Sequence, residues 1–299
     1  MVECPRLKPK SKAKLFYQKY FGKTKGDNIF HICNYLLFIL LAFICFYPFW
    51  HVLKTSLVTR VDGEEVINFS AYSKVLFEEG LIESFLLTIG VVIVFVLLHV
   101  FLTMLSAYPL SRKNLKGRKF FLLFLIITML FSGGLIPSYL LIQNLNLNDN
   151  LLVYIIPGLI SPFNIIIARN FIGGIPTEVF ESAKIDGASE VQILFKIVFP
   201  LSGAIVATIA LWAGVGKWND WTTGLYYISD SDKYLIQNFL REILITASSG
   251  QGSVDADIAM MGQQLKMAAI IISIVPILVI YPFVQKFFVK GVLLGSVKS

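Results

Sequence analysis

The chain has 299 residues, of which 56% are hydrophobic and only 15% are charged. A soluble domain of this length carries about 25% charged residues, so the composition excludes an ordinary soluble enzyme and favours a chain surrounded by lipid. The formal net charge is +7. The concentration of basic residues near the N-terminus indicates contact with anionic membrane lipid rather than with nucleic acid.

The chain begins with a basic tail, residues 1–30, and continues into an apolar run at about 32–53. That run is longer than the apolar region of a secretory signal, and no small-residue cleavage site follows it. It is therefore predicted to be a retained first span. The three cysteines, Cys4, Cys33 and Cys45, lack the spacing of a disulfide framework or a zinc site.

Six stretches have the length and apolar character that a membrane-spanning helix needs, which is about 20 residues. They are 32–53, 84–109, 120–142, 151–168, 197–216 and 267–288. The fourth is short and is interrupted by Pro157 and Pro162, and Ser132–Gly134 interrupts the third. Helix breaks inside a membrane are tolerated against protein or a water-filled path. Close helix packing by small residues is the alternative explanation.

Basic residues in the connecting loops fix the predicted orientation. Nineteen of the 26 Lys and Arg residues lie on the side of the N-terminal tail, against six of the 19 acidic residues. Both termini are therefore predicted to be cytoplasmic. Residues 31–299 form the predicted membrane domain, with a cytoplasmic loop at 170–200 and a long external loop at 222–266.

The spans contain no Asp, Glu, Lys or Arg away from their ends, which disfavours a proton- or sodium-driven transporter. His99 is the one titratable candidate there besides thiols and tyrosines, and a hydrogen-bonded packing role is its expected one. The fragment Gly216–Lys217 lacks the other residues of a phosphate-binding loop. If the protein drives a solute across the membrane, another chain must supply the energy.

The cytoplasmic loop contains a pattern of two short helices with a sharp corner between them. Pro176 suits a first helical turn, and Asp186–Gly187 predicts a helix end with glycine at positive φ. Ser189 and Gln192 form the pattern of a capping box that opens the second helix. The pattern alone leaves two interpretations open: a helix that lies in a groove of another protein, or an amphipathic helix on the bilayer surface.

Near the predicted external end of the fifth span, aromatic residues alternate with polar ones in the sequence Trp218, Asn219, Asp220 and Trp221. Flat aromatic faces beside amide and carboxylate groups suit a sugar ring. These four residues are the candidates for a substrate path. An aromatic belt at the membrane interface is the alternative.

The cytoplasmic pattern resembles the signature loop of permease subunits in binding-protein-dependent ABC importers. The matching residues are Glu181, Ala183, Asp186, Gly187, Ala188, Ile197 and Pro200. Ser182 departs from the alanine that is usual there, and the frequent second proline after Pro200 is absent. The phrases 107–112, 216–221 and 281–291 are similar to the carbohydrate-importing branch, which includes maltose-type permeases and the oligosaccharide or polysaccharide permeases of Gram-positive bacteria.

The resemblance implies an all-α polytopic membrane protein with six transmembrane helices, the type I ABC importer permease fold, in the bacterial cell membrane. It implies no catalytic and no metal site, with ATP and magnesium bound by a separate ATPase. The implied partners are a second homologous permease, two ATPase subunits as a homodimer or heterodimer, an extracellular solute-binding lipoprotein and an oligosaccharide. The residues implied to contact the ATPase are Glu181, Ser182, Ala183, Asp186, Gly187 and Ala188.

Two alternatives remain from the sequence. One is an importer of a non-sugar solute, such as a peptide or polyamine, on the same scaffold. The other is an intramembrane enzyme of lipid-linked sugar metabolism, which would need paired carboxylates or a metal cluster at the membrane face.

Overall fold

The computed structural model describes residues 25–61, 64–77, 80–249 and 256–296. The predicted basic tail up to residue 24 lies outside the described residues, as does most of the Gly/Ser stretch Ser248–Ser253 of the predicted external loop. The described part is built almost entirely from helices, which confirms the predicted fold class. The α-helices are α1 (Lys25–Leu57), α2 (Ser70–Leu76), α3 (Leu81–Ser111), α4 (Arg118–Leu130), α5 (Leu135–Asn144), α6 (Pro162–Ile172), α7 (Thr177–Ile185), α8 (Glu190–Ile193), α9 (Phe199–Leu201), α10 (Gly203–Trp218), α11 (Thr222–Tyr227), α12 (Ile236–Ser249) and α13 (Ala256–Ser296).

Shorter elements complete the backbone. Two 3-10 turns, Leu151–Tyr154 and Ile156–Gly158, precede α6, a third covers Ser231–Lys233, and the π-helical stretch Leu194–Val198 joins α8 to α9. A small antiparallel hairpin, β1 (Val58–Val61) with β2 (Glu64–Ile67), follows α1 and was not predicted. It lies in the first predicted external loop.

The chain divides into two compact units, residues 1–55 and 56–299. The described part of the first unit belongs to α1, which contains Pro48. The second unit holds all the other described helices, including both candidate functional regions.

Within the described ranges, three helical segments are long and apolar enough to cross a membrane without a break: Gly26–Leu57, Leu81–Ser111 and Gly262–Pro282. Three further candidates are bent pairs. The bend is 113° between α4 and α5, 48° between the turns at Leu151–Gly158 and α6, and 81° between Glu190–Leu201 and α10. If each bent pair counts as one span, the total is the six that the sequence predicts.

The breaks have identifiable local causes. Gly134, at φ +87°, separates α4 from α5, so the third predicted span is two helices rather than one straight rod. Pro157 lies in a 3-10 turn and Pro162 opens α6, where the Ser161 side chain accepts a hydrogen bond from the Asn164 N–H over 3.4 Å. The break at Ser202 was not predicted.

Helix α3 is central to the second unit, because it packs against α6 and α10 along its length. Met104 and Ala107 of α3 are fully buried with Ile193, Val198 and Ile209 in one hydrophobic cluster. The α7–α8 region belongs to that same cluster through Phe180 and Ala183. The core therefore fixes the position of the two-helix loop against α3.

Candidate functional site

The predicted two-helix pattern in the cytoplasmic loop is confirmed. Pro176 is the residue that precedes α7, one position earlier than the helical turn in which the sequence placed it. Ser189 and Gln192 form the expected capping box: the Gln192 N–H donates to Ser189 Oγ over 3.3 Å, and the Ser189 N–H donates to Gln192 Oε1 over 2.9 Å. The second helix is thus anchored at its first turn by its own local sequence, whereas the start of α7 has no side-chain cap.

The corner between α7 and α8 is a Schellman motif. The Ala188 N–H donates to the Ala183 carbonyl over 2.9 Å, and the Gly187 N–H donates to the Lys184 carbonyl over 3.0 Å. Gly187 has φ +76°, in the left-handed region that glycine adopts without steric penalty. A Cβ added at Gly187 would meet nothing within 4 Å, so backbone conformation alone demands glycine there.

The six predicted coupling residues divide into two groups by exposure. Ala183 is 7% exposed and packs in the hydrophobic cluster, and Ala188 is half-buried against the same cluster. These two small residues position the corner. The other four present their side chains or backbone to solvent and are accessible to another protein: Glu181, Ser182, Asp186 and Gly187.

A polar contact joins this loop to the end of α3. The Tyr108 hydroxyl donates a hydrogen bond to one carboxylate oxygen of Glu190, the first residue of α8. Lys184 of α7 places its ammonium 2.7 Å from the other oxygen. One carboxylate therefore connects three helices, α3, α7 and α8.

Arg112, directly after α3, adds a second contact. Its guanidinium carbon lies 4.0 Å from the centroid of the Phe180 ring in α7 and 5.7 Å from that of Tyr108. Such cation–π contacts contribute about 0.5–1 kcal/mol at exposed sites. Together with the buried Phe180 side chain, they make α7 and the end of α3 one connected structure.

One carbonyl group in the last turn of α3 accepts hydrogen bonds from two arginines. Leu110 accepts hydrogen bonds from Arg118 Nε over 2.8 Å and from Arg169 Nε over 3.2 Å. Carbonyl groups at a helix C-terminus lack partners within the helix and attract cations. The same end of α3 and the two loop helices line an open groove of about 680 Å³.

The four predicted path residues lie at the C-terminal end of α10 and directly after it. The structure places two of them in or near the protein interior and two at the surface. Trp218 is 6% exposed, and its indole N–H donates to the Ser273 carbonyl over 3.2 Å. Its ring packs edge-on against Phe85 with centroids 5.7 Å apart. Trp218 is therefore turned into the protein, where it joins α10 to α3 and α13.

Asp220 forms a nearly buried ion pair with Lys217. The two charged groups are 2.8 Å apart, and their side chains are only 12% and 10% exposed. Thr223 donates to the same carboxylate through its backbone N–H and its hydroxyl. Burial alone would raise the pKa of Asp220, but Lys217 and Thr223 outweigh it and hold the pKa below its ordinary value.

The other two predicted path residues are exposed. Asn219 directly follows α10 and continues the face of that helix on which Trp212 and Gly216 lie, at spacings of four and three residues. All three residues are exposed. Trp221 is 40% exposed, and the Arg241 guanidinium carbon lies 4.9 Å from the centroid of its ring. A place in the path stays a prediction for this segment, and the exposed groups that it offers are those of Asn219 and Trp221.

His99 lies where α3 meets the broken fourth span. One ring nitrogen, Nδ1, is 3.2 Å from the Gly158 carbonyl, and the other, Nε2, is 2.8 Å from the Asn164 amide nitrogen. A single neutral tautomer satisfies both contacts, with Nδ1 donating and Nε2 accepting. These contacts agree with the expected packing role.

Sequence reasoning missed three residues that organise these regions: Tyr108, Lys217 and Arg241. The sequence analysis included Tyr108 only in the segment 107–112, which is similar to carbohydrate importers. Nothing in the sequence pairs Tyr108 with Glu190, 82 positions later. Lys217 was considered only as part of an incomplete phosphate-loop fragment, and its spacing of three from Asp220 was the signal that could have indicated the pair. Across the described ranges, no group of three or more His, Cys, Asp or Glu could hold a metal ion.

The chain is similar to known proteins over nearly its whole length. Residues 23–294 match the family described as binding-protein-dependent transport system inner membrane component. The polygalacturonan/rhamnogalacturonan transport system permease protein YtcP of Bacillus subtilis is 39% identical, over 91% of this chain and 99% of the relative. Protein LplC of the same organism is 38% identical, over 92% of this chain and 97% of its own length.

A solved structure also matches. A chain in the crystal structure of a bacterial ABC transporter involved in the import of the acidic polysaccharide alginate superposes with a TM-score of 0.79 and 30% identity. The match covers 89% of this chain and 98% of that one. At this identity and coverage, the likeness extends to sequence as well as fold.

Proposed function

The chain belongs to the family of binding-protein-dependent transport system inner membrane components, and we propose that it forms half of the membrane path of an ATP-driven importer for oligosaccharides or polysaccharide fragments. Members of the family are membrane-embedded ABC permeases, which are transport subunits rather than enzymes. Such a permease works with a partner permease, an ATPase and a substrate-binding protein. Membership in the family sets aside the alternative of an enzyme for lipid-linked sugars.

The observation that carries the coupling role is the attachment of the two-helix loop to α3. Glu181, Ser182 and Asp186 are exposed, while Phe180 and Ala183 are buried in the core. A helix with one face exposed and the other fixed suits a contact through which a second protein moves the core. In this proposal the exposed face docks on the ATPase, and the Tyr108–Glu190 contact transmits the movement to α3.

The proposed assembly contains this chain, a second homologous permease, two ATPase subunits and an extracellular solute-binding lipoprotein. ATP and magnesium bind to the ATPase subunits, because this chain has no phosphate-binding loop. Both termini lie in the cytoplasm, as the excess of basic residues on that side favours. The two-helix loop then faces the ATPase, and the Trp218–Trp221 segment faces the entrance for the solute.

The carbohydrate assignment is supported by the names of the relatives and by exposed groups in the proposed path. Trp212 and Trp221 offer flat apolar faces, and Asn219 offers an amide. Sugars present C–H faces and hydroxyl groups that suit this combination. A non-sugar solute would not need such a set, and uptake of labelled sugars against peptides and polyamines by the reconstituted importer separates the two.

Site-specific cross-linking tests the docking proposal. In a chain whose native cysteines are replaced, cysteines at Ser182 and Asp186 should cross-link to the ATPase in the purified complex. A cysteine at Ser231, in the exposed 3-10 turn of the predicted external loop, is the matched control and should not. If a purified, transporting complex contains no ATPase next to positions 182 and 186, the docking role is wrong.

A second experiment tests transmission through Tyr108. The variant Tyr108→Phe removes the hydroxyl that donates to Glu190 and keeps the ring. We expect the ATPase to remain bound while more ATP is hydrolysed per solute imported. Tyr72→Phe, which removes a 2.7 Å hydrogen bond to Ser56 in the predicted external part, should leave that ratio unchanged. An unchanged ratio in Tyr108→Phe would contradict the transmitting role.

A further inference from the structure

A small pocket lies beside Trp221 in the predicted external part of the chain. It has a volume of about 270 Å³, and its polar lining comes from Gln237 and Arg241 of α12 and from Ser273 of α13. Leu240 and Ile270 contribute apolar walls. The pocket therefore combines an aromatic ring, an amide, a guanidinium and a hydroxyl within one concave surface.

Local structure fixes the walls of this pocket. The α12 helix is held at its start, where the Ile236 N–H donates to Thr88 Oγ1 over 2.8 Å in the core. The buried side chain of Asn238 donates to the Trp221 carbonyl over 2.7 Å, which holds Trp221 against α12. Gln237 and Arg241, four positions apart, share one face of that helix. The helix that carries Gln237 and Arg241 and the residue Trp221 are therefore held in place by contacts within the chain.

Two of those polar groups are unused within the part of the chain that the structure describes. The Gln237 amide has no hydrogen-bond partner there, and the Arg241 guanidinium has no carboxylate within 4.0 Å. The recorded contact of Arg241 is with the Trp221 ring, 4.9 Å from its centroid. A guanidinium that stacks on a ring keeps its N–H donors at the edge, where a planar carboxylate is bound by two parallel hydrogen bonds.

The Arg241 guanidinium is also one of few cations on the side of the chain that is predicted to be external. The predicted external loops contain thirteen of the 19 acidic residues and only seven of the 26 basic ones. A neutral sugar would need only the ring and the amide, so the arginine adds the one group that an anionic sugar requires. An acidic chain that approaches this side meets few other cations.

We propose that this pocket binds a uronate unit of an acidic oligosaccharide, with Arg241 on the sugar carboxylate, Gln237 on its hydroxyls and Trp221 against its C–H face. The proposal rests on the proposed function, because it specifies the carbohydrate that the importer accepts. Arg241 is then a residue that determines specificity for charge. A neutral ester of the same sugar loses the bond to Arg241 and keeps the other contacts.

Binding to the assembled importer without its solute-binding protein tests this assignment directly. The probes are trigalacturonate and its fully methyl-esterified form, titrated by saturation-transfer NMR against the complex in phosphatidylcholine nanodiscs. We expect the wild-type complex to prefer the acid. In Arg241→Gln the dissociation constant for the acid should rise about tenfold or more, and that for the ester should change less than about twofold. Arg241→Lys keeps the charge and loses the planar guanidinium. Its dissociation constant for the acid should lie between those of the wild type and of Arg241→Gln.

Three results would overturn the assignment. The wild-type complex could bind acid and ester equally, or Arg241→Gln could weaken both equally, in which case Arg241 only supports Trp221. Loss of acid binding when phosphatidylglycerol is added would assign the arginine to a lipid headgroup. Each leaves the proposed function standing if the same complex still imports a sugar at the expense of ATP, and absence of any ATP-driven sugar import would contradict the proposed function itself.

Discussion

The two ends of the second unit use charged residues in opposite ways. In the loop formed by α7 and α8, the charged side chains are exposed: those of Lys184 and Glu190 are 52% and 56% accessible although they pair with each other. At the end of α10, Lys217 and Asp220 form a pair of similar length that is nearly buried. The first pair leaves its helix available to a partner, and the second is part of the protein interior.

This difference has an energetic basis. Exposed ion pairs contribute about 0–1 kcal/mol, because water competes for both charges. Removing one partner of a buried pair leaves a charge without compensation and costs about 3–5 kcal/mol. A charged residue in a family-like motif can thus serve a partner at one end and the fold at the other, and substitutions separate the two roles.

The largest expected effect is that of Lys217→Met. The variant leaves Asp220 nearly buried with only its hydrogen bonds from Thr222 and Thr223, and should destabilise the protein by about 3–5 kcal/mol. The measurement is the yield and apparent unfolding temperature of the purified complex. Lys184→Met, which breaks the exposed pair, is the matched control and should cost at most about 1 kcal/mol.

A double substitution sharpens this result. Lys217→Met with Asp220→Leu removes both charges, and replacement of a buried pair by apolar residues is often neutral for stability. We expect the double variant to recover most of the stability that Lys217→Met loses. If instead Lys217→Met and Lys184→Met had equal small effects, the contrast between the two ends would be wrong.

The next effect in size concerns Gly224 in α11. A Cβ at this position would lie 2.4 Å from Asn238 Oδ1, and Asn238 is buried and bonded to the Trp221 carbonyl. Gly224→Ala should therefore cost about 1–3 kcal/mol through overpacking and displace Trp221. Gly90→Ala, inside α3 with nothing within 4 Å, should be neutral or stabilising. Equal unfolding temperatures for the two variants would contradict this packing.

In the two-helix loop, Gly187→Ala should destabilise the protein by only about 1 kcal/mol, because open space surrounds the site and only the positive φ resists alanine. Its effect on function should be larger, since the corner sets the direction of the docking face. We expect reduced uptake and reduced coupled ATP hydrolysis, with solute capture by the binding protein unchanged. Gly203→Ala, also in open space but without positive φ, is the control. Full coupled uptake by Gly187→Ala would contradict the docking role.

The same comparison explains how much the sequence could predict. The structure of the two-helix loop was predicted nearly residue by residue because it is local. A glycine at positive φ and a capping box at Ser189 and Gln192 each act within a few residues. The six candidate spans could also be predicted, since each is a contiguous apolar stretch, although three of them are bent pairs of helices.

The segment from Trp218 to Trp221 was predicted less well because most of its contacts are with distant residues. Trp218 and Asp220 looked like exposed groups for a sugar, but Trp218 bonds to Ser273, 55 positions away, and the Lys217 ammonium that pairs with Asp220 lies 4.7 Å from the centroid of the Phe95 ring on another helix. A single sequence carries no signal for the contacts of Trp218 with Ser273 or of Lys217 with Phe95, although the spacing of three between Lys217 and Asp220 does indicate their pair. The contact of Tyr108 with Glu190 escaped prediction for the same reason.

The smallest expected effect is a pH dependence at the surface where Asp149 joins two loops, on the side that is predicted to be external. Its carboxylate accepts hydrogen bonds from the backbone N–H groups of Asp230 and Ser229, and the Lys233 ammonium is 3.1 Å away. The Asp230 N–H and then Lys233 lower the pKa of Asp149 below its ordinary value. Stabilisation by this group is therefore complete above the unfolded pKa of about 3.9 and is lost as the pH falls through the lower, folded value.

The variant Asp149→Asn tests whether the stabilisation by Asp149 is lost as the pH falls. At neutral pH the wild-type complex should unfold at a slightly higher temperature than Asp149→Asn, and the gap should close as the pH is lowered below about 4. The effect should be small because Lys233 and Asp149 are both substantially exposed and water screens their attraction. A gap that widened in acid would mean that the protonated carboxyl is the stabilising form, which is incompatible with two N–H donors and an ammonium directed at it. A gap as large as that expected for Lys217→Met would mean that this surface pair behaves as a buried one.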